Sequence, residues 1–238
     1  MTPRHKITLI DYGEKDAEVT WGTSGKEEGK KREKRGESKN RGANLDRCIR
    51  RAKAKLRRKV MAAGLDPLLT LTYRENITER WRAWADFEKF VRLVHTHRSD
   101  WPWAVVAEAQ NRGAVHFHLA VKGFQNVDLL RGLWRSIIGE GNIDVQYKRS
   151  PVGVQWKKSA LASYLAKYIG KDMETDLNEK RFRCSLGIEI KGQAIWVPLR
   201  VPAKDYALFR FEAAAGRVGY VWCPEESNGE YGWACNWG

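Results

Sequence analysis

The sequence predicts an α+β fold in which helices cover an antiparallel sheet, and three observations carry that prediction. Val115, Phe117, Leu119 and Val121 alternate with Ala114, His116, His118 and Ala120, the two-residue period of a strand with one face in the core. Asn111-Arg112-Gly113 separates that run from a second strand-like run, Trp103 to Gln110, and reads as a three-residue hairpin loop with Gly113 in the left-handed conformation. From Leu68 to Lys171 the order is strand, helix, strand, strand, helix, strand, helix, which lays helices over an antiparallel sheet.

Taken in order, residues 1–42 are read as a flexible charged arm. Apolar residues are scarce after Val19-Thr20-Trp21, and the Gly-interrupted, mixed-charge tract Gly25 to Gly36 cannot bury enough surface to fold by itself. A short strand near Ile7 to Ile10 is the one element expected there. Residues 43–66 hold a basic helix with Leu45, Ile49, Ala52, Leu56 and Val60 on one stripe and lysines and arginines over the remainder. Such a face is either solvated or in contact with phosphates.

The third segment, 67–172, opens with a strand at Leu68 to Tyr73. Asn76-Ile77-Thr78-Glu79 has the form of a capping box and predicts a helix running to about Val94, with Trp84, Phe87, Val91 and Val94 inward. After the hairpin come a helix over Val127 to Ile138, a strand over Asn142 to Lys148, and a basic loop with Arg149, Lys157 and Lys158. A helix within Lys157 to Lys171 ends the segment at Gly170. Residues 173–238 are read as an extension packing on this segment, with strands at Phe182 to Ile190 and Ala194 to Val201 and a helix at Lys204 to Ala215. The tryptophans crowding its tail either pack there or form an aromatic surface that stacks unpaired bases.

Composition narrows the partners. The 238 residues carry 43 Lys and Arg against 29 Asp and Glu, a net charge of +14, which favours a polyanion. No apolar run reaches the roughly 20 residues of a membrane span, and no secretory hydrophobic region follows Met1. Cys48, Cys184, Cys223 and Cys235 form no Cys-x-x-Cys pair and read as free thiols of a reducing cytoplasm.

Both histidines of His116-Phe117-His118 point to the face opposite Phe117. Counting outward from the loop, Gln110 pairs with Ala114 and Glu108 falls opposite His116, so Glu108, His116 and His118 converge on one side of the sheet. A carboxylate and two imidazoles with open positions suit Mg²⁺, Mn²⁺ or a similar divalent ion. The ordinary alternative is two histidines on a solvated face. His95 and His97, two apart at a helix end, diverge by roughly 200° and cannot chelate together. Tyr164 and Tyr168 are four apart on a helix, so both phenols share a face, with Lys167 alongside.

Together, Thr70-Leu71-Thr72-Tyr73, Glu108 with His116-Phe117-His118, and Tyr164-x-x-Lys167-Tyr168 resemble the three motifs of the HUH endonuclease superfamily. The match is to its rolling-circle replication initiators of the two-tyrosine phage and plasmid type, since relaxases carry the tyrosine before the histidines. The resemblance implies a ferredoxin-like or RRM-like palm with the histidines on a central strand. It implies a divalent metal, Mg²⁺ or Mn²⁺, held by Glu108, His116 and His118, with Tyr164 as nucleophile, Tyr168 as its alternate and Lys167 positioning a phosphate. Nucleic acid would be met by Thr72, Tyr73, Arg149, Lys157 and Lys158. The implied activity is nicking and rejoining of single-stranded or hairpin origin DNA through a 5′-phosphotyrosine, in the cytoplasm of a bacterial host. No Gly-x-x-x-x-Gly-Lys-Ser/Thr loop is present, so unwinding is expected from a host helicase acting with a host polymerase. A single-tyrosine transposase of the same superfamily and a non-enzymatic RRM-like binder are the alternatives. The chain lacks the Lys/Arg-Gly-Phe/Tyr-Gly/Ala-Phe signature of the latter.

Overall fold

Why residues 4–24 adopt regular structure is visible only once their partners, drawn from the other end of the chain, are in view. A computed structural model describes residues 3–13, 16–24, 40–147, 158–169 and 180–237. Its elements in order are β1 (Arg4–Gly13), β2 (Asp16–Ser24), α1 (Arg41–Ala63), β3 (Leu68–Tyr73), α2 (Arg80–His97), β4 (Trp103–Ala109), β5 (Val115–Val121), α3 (Val127–Ile138), β6 (Gly141–Gln146), α4 (Lys158–Ala166), β7 (Arg183–Cys184), β8 (Gly192–Pro198), α5 (Ala203–Ala215), β9 (Tyr220–Trp222) and β10 (Gly232–Cys235). The result is a mixed α+β architecture with two five-stranded antiparallel sheets and five helices among the described residues. Its contacts divide it into two units, Asn40–Glu189 and Met1–Lys39 with Ile190–Gly238. No helix of the described residues is long and apolar enough to cross a membrane.

In the unit Asn40–Glu189 the sheet order is β6-β3-β5-β4-β7, so β5 with its two histidines is the central strand, consistent with a ferredoxin-like palm. The hairpin forms as its loop chemistry demands. Gly113 sits at φ +86, its N–H bonds the Gln110 carbonyl at 2.7 Å, and Gln110 N–H bonds the Ala114 carbonyl at 2.9 Å. From there the register places Glu108 opposite His116, Ala107 opposite Phe117 and Val106 opposite His118.

One face of this sheet is a dense aromatic core. Ala83, Trp84, Phe87, Phe90 and Val94 recur along α2 at helical spacing and bury against Phe117, Leu119, Trp103 and Leu71, with Leu130 and Trp134 of α3 completing the layer. Asn126 caps α3 by accepting the Leu129 N–H at 3.1 Å, and the helix stops at Gly139, φ +79. The capping box expected before α2 does not form. Asn76 Nδ2 instead donates to the Arg112 carbonyl at 3.1 Å, and the Ile77 carbonyl accepts from Val115 N–H at 2.8 Å. Those residues tie the hairpin loop down, and α2 therefore starts only at Arg80.

The opposite face carries smaller side chains. Leu68, Ala104, Val106 and Ala120 meet Leu56 and Val60 of α1 and Leu161, Ala162 and Leu165 of α4. α1 ends where Gly64 takes the left-handed conformation at φ +60 and returns its N–H to Met61 at 3.1 Å.

In the other unit the order is β8-β1-β2-β10-β9. Ile7, Val19, Trp21, Val197 and Ala234 form one apolar face, onto which α5 lays Ala203, Ala207 and Phe211 at four-residue spacing. Gly232 lies opposite Trp21, and a Cβ there would fall 2.5 Å from that indole ring. This sheet corrects the flexible arm expected of residues 1–42. There β1 and β2 pair antiparallel with each other, and β8 and β10 flank them as partners that the local composition could not reveal. The same pairing draws β8 and β10 into that sheet, where the sequence predicts residues 173–238 as an extension packing on residues 67–172. The charged tract at 25–36 lies outside the described residues.

Candidate active site

The site is built by parity. In β5 the odd residues enter the aromatic core, which turns His116 and His118 together toward α4. The face is not solvated: each histidine is only 7% exposed, and Tyr164 of α4 and Tyr168 just beyond it lie against His118. Tyr168 stacks on the His118 ring at 4.3 Å between centroids and 10° between planes, and Tyr164 meets the same ring edge-on at 6.3 Å. α4 itself ends at Ala166. A tighter turn follows, with Lys167, Tyr168 and Ile169 N–H groups bonding the carbonyls three residues back at 3.1–3.3 Å. The two phenols still converge, and Tyr168 donates a hydrogen bond to the Tyr164 hydroxyl at 2.7 Å. The Lys167 ammonium lies 5.7 Å from the Tyr164 ring centre.

Beneath the phenols, Glu108 Oε2 is 2.8 Å from His118 Nε2, and Thr70 Oγ1 is 3.4 Å from its Nδ1. Gln110 Nε2 is 3.1 Å from His116 Nδ1. The sequence reading assigns no site role to Thr70 or Gln110, yet both share strand parity with the residues it does single out. They orient the two imidazoles as outer partners orient ligating histidines. Among the described residues no three His, Cys, Asp or Glu side chains are grouped so as to hold a metal ion. The geometry gives the reason: the Glu108 carboxylate is engaged by His118. His116 Nε2, by contrast, is buried with no hydrogen-bond partner among the described residues. Burial, then the neighbouring His118 and Arg112, hold the His116 pKa below its ordinary value against the opposing pull of Glu108. A neutral imidazole with an orphaned nitrogen is the form that ligates a metal.

Electrostatics also acts on Tyr168. Burial, reinforced by the hydrogen bond to Tyr164 and by the charge of Glu108, pushes the Tyr168 hydroxyl well above the usual phenol value. Tyr168 therefore keeps its proton and offers it to Tyr164.

Other expected site residues are placed differently. Tyr73 shares parity with Leu69 and Leu71, is 5% exposed in the aromatic core, and bonds Asp86 Oδ2 at 3.3 Å. It builds the core, which corrects its assignment to nucleic acid. Thr72 is on the other face of β3, its hydroxyl donating to the Asn142 carbonyl at 3.2 Å. Arg149 and Lys157 lie outside the described residues, as does the side chain of Lys158.

Comparison with known proteins adds three findings. No curated protein matches the chain. The crystal structure of the hypothetical protein ORF119 from Sulfolobus islandicus rod-shaped virus 1 is similar over 52% of this chain and 97% of its own, with 14% identity and a TM-score of 0.35, too distant to carry an argument. The model of the replication-associated protein ORF2 family matches residues 66–173, the span from just before β3 to just after α4 that contains Glu108, His116, His118, Tyr164, Lys167 and Tyr168, and this match is consistent with a replication initiator.

Proposed function

We propose that this chain nicks and rejoins single-stranded origin DNA with a tyrosine nucleophile, initiating and terminating rolling-circle replication. The observation that carries this reading is the placing of both phenols against His118 of the central strand, Tyr168 stacked on its ring and Tyr164 edge-on to it. The match of that span to a replication-associated family supports it.

In this reading Tyr164 Oη attacks the scissile phosphorus. A tyrosyl–phosphorus bond forms, the P–O3′ bond breaks, and the departing O3′ takes up the proton that Tyr164 gives away. The products are a 5′-phosphotyrosine and a free 3′-hydroxyl. A phenol of pKa about 10 is a weak nucleophile near neutrality. The hydrogen bond received from Tyr168 stabilises negative charge on the Tyr164 oxygen, and the nearby Lys167 ammonium acts in the same direction. Glu108, His116 and His118 are the residues that would hold a divalent ion, Glu108 turning from His118 to do so. When bound, that ion supplies polarisation of the phosphate and offsets its charge. Rejoining runs the same bonds backward, with a 3′-hydroxyl attacking the phosphotyrosine, so no ATP is required.

The test uses labelled single-stranded oligonucleotides tiling the replicon that encodes the chain, with Mn²⁺, resolved on a denaturing gel. A covalent protein–DNA adduct is expected, absent in Tyr164→Phe combined with Tyr168→Phe. His116→Ala shifts the Mn²⁺ requirement upward. An adduct surviving the double tyrosine change overturns the nucleophile, and tight binding without cleavage at any metal concentration overturns the enzyme in favour of a binding protein.

A further inference from the structure

At the β7 edge of the sheet, away from the tyrosines, α1, α2 and β7 enclose a cavity of about 830 Å³. Its wall carries seven lysines and arginines against one carboxylate, Glu88. That carboxylate is already satisfied: Arg183 Nη1 donates to it at 2.7 Å while the guanidinium stacks 3.9 Å over Trp84. Lys59 is likewise committed, donating to the Ile188 carbonyl. Of the other five, Arg181 is half-buried, and Arg51, Lys55, Arg92 and Lys180 are exposed at the rim and paired with no carboxylate among the described residues. Four uncompensated cations around one concavity repel one another, and a polyanion relieves that repulsion.

Two further features concern what enters. Trp103, only 8% exposed, lines the cavity, and its indole Nε1 is buried without a hydrogen-bond partner among the described residues. A buried donor of this kind costs stability until an acceptor arrives. The floor is apolar, formed by Phe87, Val91 and the half-buried ring of Phe182. Paired bases cannot turn into such a hollow, whereas a splayed base can enter it while its phosphates stay on the rim.

We propose that this groove binds a stretch of single-stranded nucleic acid flanking the reacting segment, with phosphates on Arg51, Lys55, Arg92 and Lys180 and a base against the apolar floor. Trp103 lies five residues from Glu108 along β4, roughly 17 Å at a strand's rise. The two side chains lie on opposite faces of the sheet, so a strand joining both places passes around the β7 edge and needs more than the about five nucleotides, at roughly 3.4 Å each, that the distance along β4 alone would take.

The experiment measures binding of fluorescent oligothymidylate to the full chain across a salt series, using the Tyr164→Phe, Tyr168→Phe protein so that no cleavage occurs. Binding here is therefore scored independently of nicking, and either reading can fail alone. Each phosphate contact contributes about −0.7 to the slope of log affinity against log salt on single strands, so Arg51→Gln with Lys55→Gln is expected to flatten the slope by about 1.4. Arg50→Gln with Lys53→Gln removes the same charge from α1 outside the cavity, and the slope is expected to hold. A second readout needs no substitution: Cys48 is exposed and lines the groove, so bound oligonucleotide is expected to slow its alkylation several-fold. Equal effects of the two charge pairs, alkylation of Cys48 unaffected by saturating oligonucleotide, or tighter binding of duplex than of single strand would each overturn the proposal.

Discussion

The central sheet has two faces made by the same strands, and they are packed to different ends. Toward α2 and α3, β5 presents Val115, Phe117, Leu119 and Val121 to a layer holding Trp84, Phe87, Phe90, Trp101, Trp103 and Trp134, several of them in edge-on ring contacts of 4.9–5.6 Å. Toward α1 and α4 the buried hydrophobic residues are all aliphatic, four of them no larger than valine on the sheet or in α4, and the aromatic rings packed against them, Tyr164, Tyr168 and Phe182, are only partly buried, the two phenols hydrogen-bonding to each other. Large rings locked by neighbours supply stability. Small residues on the other side leave room for imidazole, carboxylate and phenol to meet without a rigid surround. One strand thus divides two tasks between its odd and even positions.

That division can be broken most severely from the aromatic side. Phe117→Ala removes a ring with no exposed surface and is expected to cost about 3–5 kcal/mol, read as a lowered urea midpoint. Asn126→Ala, which deletes the α3 cap on the same side, is expected to cost about 1 kcal/mol in the same assay. From the other face the stability effect shrinks further. Tyr168→Phe keeps the ring stacked on His118 and loses one neutral hydrogen bond, about 0.5–1 kcal/mol, while adduct formation by Tyr164 slows because its oxygen loses a donor. A near-normal urea midpoint with a slower adduct rate would sharpen the comparison; equal loss of stability at Phe117 and Tyr168 would break it. The smallest effect is a slope with pH. Because burial holds the His116 pKa below 6.5, the unfolded chain takes up a proton before the folded one, so stability is full above pH 6.5 and declines as pH falls through the folded value. Urea unfolding in EDTA between about pH 8 and pH 5 is expected to show a flatter profile for His116→Gln than for the natural chain.

How much of this was readable in advance depended on how local the cause was. The hairpin register, the facing of Glu108 and His116, and the bounds of α3 follow from a glycine, a period of two and a capped amphipathic run, all carried by neighbouring residues. Parity would also have placed Tyr73 with Leu71 in the core, and Thr70 and Gln110 with the histidines, had it been applied along β3 and β4 as strictly as along β5. All of β2, and β1 outside the short strand expected near Ile7 to Ile10, were hidden for a different reason. Their register is fixed against Gly192–Pro198 and Gly232–Cys235, about two hundred residues away, and no local pattern encodes a partner at that distance. The stacking of Tyr168 on His118 was equally out of reach, since it depends on where α4 lands on the sheet.

The three-residue loop at Asn111–Gly113 acts as a gauge for everything above it. Inserting or deleting a single residue there would slide β4 against β5 by one position, and one of the strands would have to invert its faces to keep pairing. Either the carboxylate would then look into a wall of rings or the imidazoles would take the place of Phe117. Substitutions at Asn111 and Arg112 are therefore cheap, a side chain at Gly113 would strain the left-handed backbone there, and a change in loop length would dismantle core and chemistry in one stroke.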